Sequence, residues 1–219
     1  MYFLLELVSG PAQEVITLEE MRRHLRLFED INDEDPDIED LIVGAREWVE
    51  HYTGRGLIDQ TWRLTLTGSA IGGVPGVGDA VSGYSVSPAS INGAFNWSGG
   101  GIPLRRSPVL GITSIATVAT DGVETVLEST IYEVRGAAGK YPEIVMLNGS
   151  SLLTGVVRIV FRVGYADQLG SPQQGPEMVP KRFKQAMKLW AESVYDREPD
   201  LIEAAEMIIK PERAVVPIG

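Results

Sequence analysis

The sequence predicts an α+β fold in which a small helical bundle, built from both ends of the chain, carries an inserted antiparallel β domain. Apolar residues recur at helical spacing near both ends of the chain, and at alternating spacing between them. The two N-terminal helices cannot bury their apolar stripes against each other alone, so a late helix must pack on them. The expected division is a bundle of residues 1–60 and 178–210, a β domain of residues 61–170, and an extended tail of residues 211–219.

The first helix is expected to begin after Thr17, which starts a capping box. The Thr17 side chain can accept from the backbone N–H of Glu20, while the Glu20 carboxylate returns to the Thr17 N–H, and Ile16 with Met21 forms a hydrophobic staple. The apolar stripe then covers about three turns; it consists of Leu18, Met21, Leu25 and Phe28.

The second helix has clearer signals at both ends. Asp35 suits the N-cap, Pro36 the first helical position, and Gly54 the left-handed residue after the last turn. Its apolar positions are Ile38, Leu41, Ile42, Ala45, Trp48, Val49 and Tyr52.

The third helix opens at Pro180 and is the partner that the first two require. A short fourth helix is expected over residues 200–210. We expect six residues of the second and third helices to share one core: Leu41, Ala45, Trp48, Phe183, Met187 and Trp190.

The middle of the chain has the two-residue period of half-buried strands, at residues 57–67, 112–119, 123–127, 132–135, 143–147 and 156–165. Asp121 and Gly122 predict a tight hairpin turn. Such strands form a meander, a small barrel or a sandwich. Residues 68–101 hold 10 glycines among 34 residues and are expected to form a long excursion loop.

Composition narrows the function classes. The net charge is −11, and residues 1–60, with 5 Arg against 15 Asp or Glu, carry −10 of it. Such a surface repels phosphate, so we expect the chain neither to read a nucleic-acid sequence nor to grip its backbone. Without cysteine the chain has no disulfide and no thiolate metal site. No apolar run approaches the 18 residues of a membrane span, and a product made in the cytoplasm is expected.

Metal and catalytic alternatives are weak. Asp33, Asp35 and Asp37 resemble the first three ligands of a calcium loop, but Ile38 stands where that loop needs glycine and Gly44 where it needs glutamate. The two histidines, His24 and His51, lie on different predicted helices. We therefore expect no enzyme, no cofactor and no metal.

One ordered set of features extends over residues 15–198. It comprises segments 16–20, 24–26, 38–43, 45–58, 60–62, 103–104, 108–109, 112–115, 121–122 and 163–165, with Tyr132, Trp190, Tyr195, Arg197 and Glu198. No single motif is diagnostic, but in its order the whole set resembles the head-tail connector proteins of tailed bacteriophages, also called adaptor or head completion proteins, and of related gene transfer agents, in the form with a β insertion. The DNA that passes such a connector is not bound specifically.

The resemblance implies a structural protein of the virion, about a dozen copies of which form a ring beneath the portal and line the DNA exit channel. The implied partners are the portal, a tail-side stopper or tail-completion protein, and other copies of the chain, with no membrane. We expect the tail residues Val215, Val216, Pro217 and Ile218 to dock into the portal. An acidic channel wall is expected at Asp33, Glu34, Asp35 and Asp37.

A different class of protein is also compatible with the pattern. A monomeric, β-rich carbohydrate- or peptide-binding module with a helical cap would gather Tyr84, Phe95 and Trp97 of the excursion loop into an aromatic cluster.

Overall fold

The computed structural model describes residues 2–27, 33–67, 102–119, 121–147, 156–165 and 175–214, and it confirms the α+β class. The helices are α1 Leu18–His24, α2 Asp35–Thr53, α3 Lys181–Tyr195 and α4 Asp200–Ile209. The strands are β1 Tyr2–Ser9, β2 Gln60–Thr67, β3 Ile102–Pro103, β4 Val109–Val118, β5 Glu124–Val126, β6 Tyr132–Arg135, β7 Glu143–Met146 and β8 Val156–Val163.

Helix α1 starts as expected but is shorter. Thr17 Oγ1 accepts from the Glu20 N–H at 3.1 Å, which confirms the N-cap. The Glu20 carboxylate, expected to return to Thr17, instead lies 2.7 Å from Lys188 Nζ of α3. The helix stops at His24 because Arg26, two residues on, takes a left-handed conformation with φ of 57°. Phe28, the last residue of the predicted stripe, lies outside the described residues.

Helix α2 follows the prediction closely. Its N-cap is Glu34 rather than Asp35, and the cap makes no side-chain hydrogen bond, so Pro36 and the acidic first turn mark its start. Gly54 ends it with φ of 72°, and its N–H donates to the Glu50 carbonyl at 2.9 Å. Gly44 is an interior glycine with a packing role, because a Cβ there would lie 3.2 Å from Trp190 Cη2.

The helical core joins the two ends of the chain. Helix α3 runs antiparallel to α2: the Trp48 and Trp190 rings lie 6.2 Å apart, and Tyr195 at the end of α3 reaches Glu34 at the start of α2. Ala45, Phe183 and Met187 are fully buried in one cluster, and Leu41, Trp48 and Trp190 pack half-buried around it. The six residues proposed for the helical core thus lie together.

The strands form two antiparallel sheets, of order β1-β2-β8-β4-β5 and β3-β7-β6. The first sheet is open in the described part of the chain, so the barrel alternative is wrong. Ile102 of β3 and Ile144 of β7 share a core with Leu64 of β2 and Phe161 of β8. The two sheets therefore pack together as an unequal sandwich.

The N-terminal segment belongs to the sheet rather than to the bundle. Residues 2–9, placed with the helices in the sequence-based division, pair along the whole of β2 from Tyr2 opposite Thr67 to Ser9 opposite Thr61. Leu5 packs on the sheet core, which gives this strand one apolar anchor.

The predicted Asp121–Gly122 hairpin is confirmed. Asp121 Oδ1 accepts from the Val123 N–H at 3.0 Å, and Gly122 has φ of 85°. The turn joins β4 to β5. The predicted excursion loop, residues 68–101, lies outside the described residues.

The Gly44–Trp190 contact gives a direct test of the α2–α3 packing. Gly44→Leu should lower the free energy of unfolding by about 1–3 kcal/mol, because the new side chain meets the indole ring in a filled interface. Urea unfolding followed by tryptophan fluorescence measures this. Glu39→Leu is the matched control, since Glu39 is exposed on the same helix; an equal effect of both variants would contradict the packing.

Candidate assembly surfaces

A buried ionic network joins the helices to the sheet. Glu50 and Arg46 of α2 are only 6% and 7% exposed. One Glu50 oxygen accepts from the Leu57 N–H at 2.8 Å and from Gln60 Nε2 at 2.6 Å, and the other accepts from an Arg46 Nη at 3.1 Å. Gln60 is the first residue of β2, so this carboxylate fixes the turn between helix and strand.

The network extends beyond these two elements. Arg46 Nε donates to Glu14, which precedes α1, at 2.9 Å. Arg106, which precedes β4, donates to the Glu50 carbonyl oxygen at 2.8 Å and lies 4.5 Å from the centre of the Trp62 ring. Segments distant in sequence therefore converge on the C-terminal half of α2.

Burial sets the titration of this network. Desolvation raises the pKa of Glu50, although the Leu57 N–H and the Arg46 charge oppose the shift. Desolvation alone would lower the pKa of Arg46, but the Glu14 hydrogen bond and the Glu50 charge outweigh it and raise that pKa. The charged groups thus neutralise and hydrogen-bond one another, which suits a structural link between helix and sheet.

This buried ionic network was not predicted from the sequence, although the sequence contains a signal for it. Arg46 follows Ile42 by four residues and precedes Val49 by three, so it falls on the apolar face of α2. Glu50 follows Arg46 by four. A charged pair on a buried helical face needs internal partners.

A second cluster, the C-terminal clamp of Arg55, Tyr165, Arg182 and Glu212, holds the last described residues. Arg55 donates from Nε to the Glu212 carbonyl at 3.0 Å and lies 3.2 Å from its carboxylate, and it also donates to the Tyr165 hydroxyl at 3.1 Å. Arg182 reaches the same carboxylate at 2.5 Å. Desolvation raises the pKa of Tyr165.

The chain continues along the clamp to Ala214. The Ala214 N–H donates to the Thr53 carbonyl at 2.7 Å, and Arg213 lies over the Tyr52 ring. Residues 210–212 form a 3₁₀ turn, so the first part of the expected extended tail is folded onto the end of α2. The proposed docking residues Val215, Val216, Pro217 and Ile218 lie outside the described residues.

The acidic residues collect at the opposite end of the bundle. Asp33, Glu34 and Asp37 are exposed, whereas Asp35 is half-buried and paired with Arg22. The end of α3 and the start of α4 add further exposed carboxylates there, because α3 is antiparallel to α2: Asp196, Glu198, Asp200 and Glu203.

The five-stranded sheet offers two further surfaces. Among the described residues, β1 and β5 are the edge strands: β1 exposes apolar side chains, including Leu4 at 55%, and β5 exposes Val126 at 64%. Unpaired strand edges and exposed apolar residues are typical of surfaces that pair with another chain.

The described part of the chain shows neither a candidate metal site nor a candidate membrane span. No group of three or more His, Asp or Glu is placed to hold a metal ion among residues 2–27, 33–67, 102–119, 121–147, 156–165 and 175–214. His24 pairs with Glu192 at 3.0 Å. Within the same ranges, no helix has both the length and the apolar character that crossing a bilayer requires.

Comparison with solved structures identifies the fold. A chain of "Neck of empty GTA particle computed with C6 symmetry" matches with a TM-score of 0.70 and 23% identity, and a chain of "Virion of native gene transfer agent (GTA) particle" with 0.68 and 23%. A chain of "Neck of native GTA particle computed with C12 symmetry" matches with 0.66 and 20%. Each match covers 99% of this chain and 98% of the other. No protein-family model and no curated protein matches the sequence.

The clamp makes a testable contribution to stability. Arg55→Ala should lower the free energy of unfolding by about 2 kcal/mol, because Glu212 loses its buried partner although it keeps Arg182. The substitution should also speed exchange of the Ala214 amide hydrogen. Urea unfolding and hydrogen exchange measure the two effects. Arg182→Ala removes an exposed partner of the same carboxylate and should cost within about 1 kcal/mol; equal costs would contradict a buried clamp centred on Arg55.

The buried carboxylate predicts a pH dependence. The folded-state pKa of Glu50 is raised above its ordinary value of 4.5, so the folded state holds this proton more tightly than the unfolded state. As pH rises past that value, wild-type stability relative to Glu50→Gln should therefore fall. Urea unfolding between about pH 4 and pH 8 tests the sign.

The control for this pH series is Glu39→Gln, which removes an exposed carboxylate from the same helix. It reports the general effect of losing one negative charge. A wild-type advantage over Glu50→Gln that grows with pH would show that the pKa of Glu50 is lowered by its partners, and would overturn the assignment.

Proposed function

We propose that this chain is a structural head-tail adaptor of a gene transfer agent or phage-like particle, and that it forms a ring of about twelve copies beneath the portal. One observation carries the proposal: the whole chain, strands and helices together, shares its fold with chains of GTA neck structures, one of them computed with C12 symmetry. The ordered sequence features that resemble head-tail connectors point the same way.

A closed ring needs two different contact surfaces on each copy, because a heterologous interface joins one face to another. The protein has two surfaces that suit such an interface. Edges β1 and β5 lie on opposite sides of one sheet, and each exposes apolar side chains. The proposal assigns neighbour contacts to surfaces of this kind.

The acidic end of the bundle is proposed to line the DNA exit channel. Asp33, Glu34 and Asp37 are exposed there and carry the same sign of charge as DNA, so they would keep the duplex mobile. Asp35 contributes less to that field, since Arg22 pairs with it. In this role DNA passes without specific binding.

The C-terminal segment is proposed to dock into the portal. Val215, Val216, Pro217 and Ile218 form a short apolar sequence directly after the clamped residues. The opposite rim of the ring would meet a tail-side stopper or tail-completion protein. The role requires binding and shape rather than chemistry, so the proposed activity is structural and not enzymatic.

The docking proposal is tested by deleting residues 215–219. The cut leaves Glu212 and the Ala214–Thr53 hydrogen bond in place, so the protein should fold with unchanged stability. Wild-type chain should co-sediment with the purified portal ring of the same particle, and the deletion variant should bind at least about tenfold more weakly.

The mass of the complex separates the two function classes. Light scattering on the wild-type complex should give a ring of copies on the portal, even if the free chain is a monomer. A chain that stays monomeric and ignores the portal, yet binds carbohydrate or peptide, would replace the adaptor with the β-rich binding module. Equal co-sedimentation of the wild type and the deletion variant would remove the docking role of the segment.

A further inference from the structure

The two ends of the helical bundle have opposite charge. Helix α2 has 19 residues and is therefore about 27 Å long, and α3 and α4 run back and forth beside it. Its N-terminal end lies with the acidic residues described above. Its C-terminal end lies against the clamp, where cations collect in a chain whose net charge is −11.

These cations form what we call the basic collar: Lys140, Lys181, Arg182, Lys210 and Arg213. Four of them are exposed, and Lys140 donates to the Pro211 carbonyl. They come from the turn before β7, from the start of α3 and from the end of α4, so three segments contribute. The collar lies beside the hydrogen bond between Ala214 and Thr53, since Lys140 contacts Pro211 and Arg182 contacts Glu212.

We infer that the basic collar is a docking surface for an acidic rim on the protein ring that receives the C-terminal segment. This inference rests on the proposed adaptor function. The collar and Ala214, the residue before the C-terminal segment in the sequence, lie at one end of the bundle, so a partner that binds the segment would be brought against the collar. Complementary charge there would steer the encounter and set the register of each copy.

The same geometry orients each copy in the assembly. The collar end faces the ring that takes the C-terminal segment. The acidic end faces the opposite way and lies farther from that ring by about the length of α2. The buried clamp supports this direction, because Arg55 holds residues up to Ala214 in place against the fold. Each copy would therefore present the same face to that ring.

A protein surface fits the collar better than nucleic acid does. Glu212 already occupies Arg182 of the collar, and the exposed Glu177 precedes Lys181 by four residues, so less positive charge is left for phosphate. The adjoining sequence Val215–Val216–Pro217–Ile218 is apolar, which favours a protein groove. A mixed charged surface around an apolar segment matches the rim and core of a protein interface.

The test is a charge reversal with a charge-matched control. Lys181→Glu/Lys210→Glu changes two exposed collar residues outside the clamp, and Arg23→Glu/Arg26→Glu makes the same change in net charge on exposed residues of the α1 region. Binding of each full-length variant to the purified portal ring is measured at low and at high salt.

The collar variant should bind at least about tenfold more weakly than the control at low salt, mainly through slower association, and the gap should narrow at high salt. If the wild type binds and the two variants bind equally well, the docking role of the collar is wrong, but the adaptor proposal is unaffected. Failure of the wild type to bind overturns both.

A labelled DNA duplex provides the remaining arm. The wild-type chain should not change the electrophoretic mobility of the duplex. DNA binding that is lost only in the collar variant would show that the collar binds nucleic acid instead. Circular dichroism and thermal melting confirm that both variants are folded, which is expected because all four positions are exposed.

Discussion

The antiparallel packing of α3 on α2 is the constraint on which the rest of the structure depends. Neither helix can bury its apolar face alone, and together they enclose Ala45, Phe183 and Met187. The two helices come from opposite ends of the chain, and strands β2 to β8 lie between them in the sequence. Their packing therefore brings the two ends of this inserted β region together. Helix α4 then runs back from the acidic end and brings residues 210–214 to the end of α2, where the clamp and the collar lie.

Two polar clusters fix the positions of the other segments relative to the packed helices. The Arg46–Glu50 network is buried and links α2 to β2 and to the segments before α1 and β4. Buried ion pairs contribute little net stability, but breaking one is costly, so they specify a single arrangement rather than strengthen it. The clamp around Arg55 does the same for residues 210–214. In the proposed ring, these fixed angles would set the surfaces that each copy presents to its neighbours.

Much of the fold follows from the sequence because local signals and burial agree. Periodicity placed α2, α3 and most strands within a few residues, and Gly54 and Asp121–Gly122 marked their turns. The sequence did not assign residues 2–9 to the sheet, since an edge strand buries one face only and its partner lies far along the chain. The clamp was also missed, because it joins Arg55 to Glu212 across 157 positions. Such long-range pairs leave no local pattern.

In the proposed particle, this chain has one position and one orientation relative to the portal. A cryo-EM reconstruction of the neck of particles assembled with this chain measures both directly. The predicted result is a ring of this chain under the portal, with the basic collar against the portal and Asp33, Glu34 and Asp37 on the channel wall. Its absence from the neck, or a ring in the opposite orientation, would contradict the account.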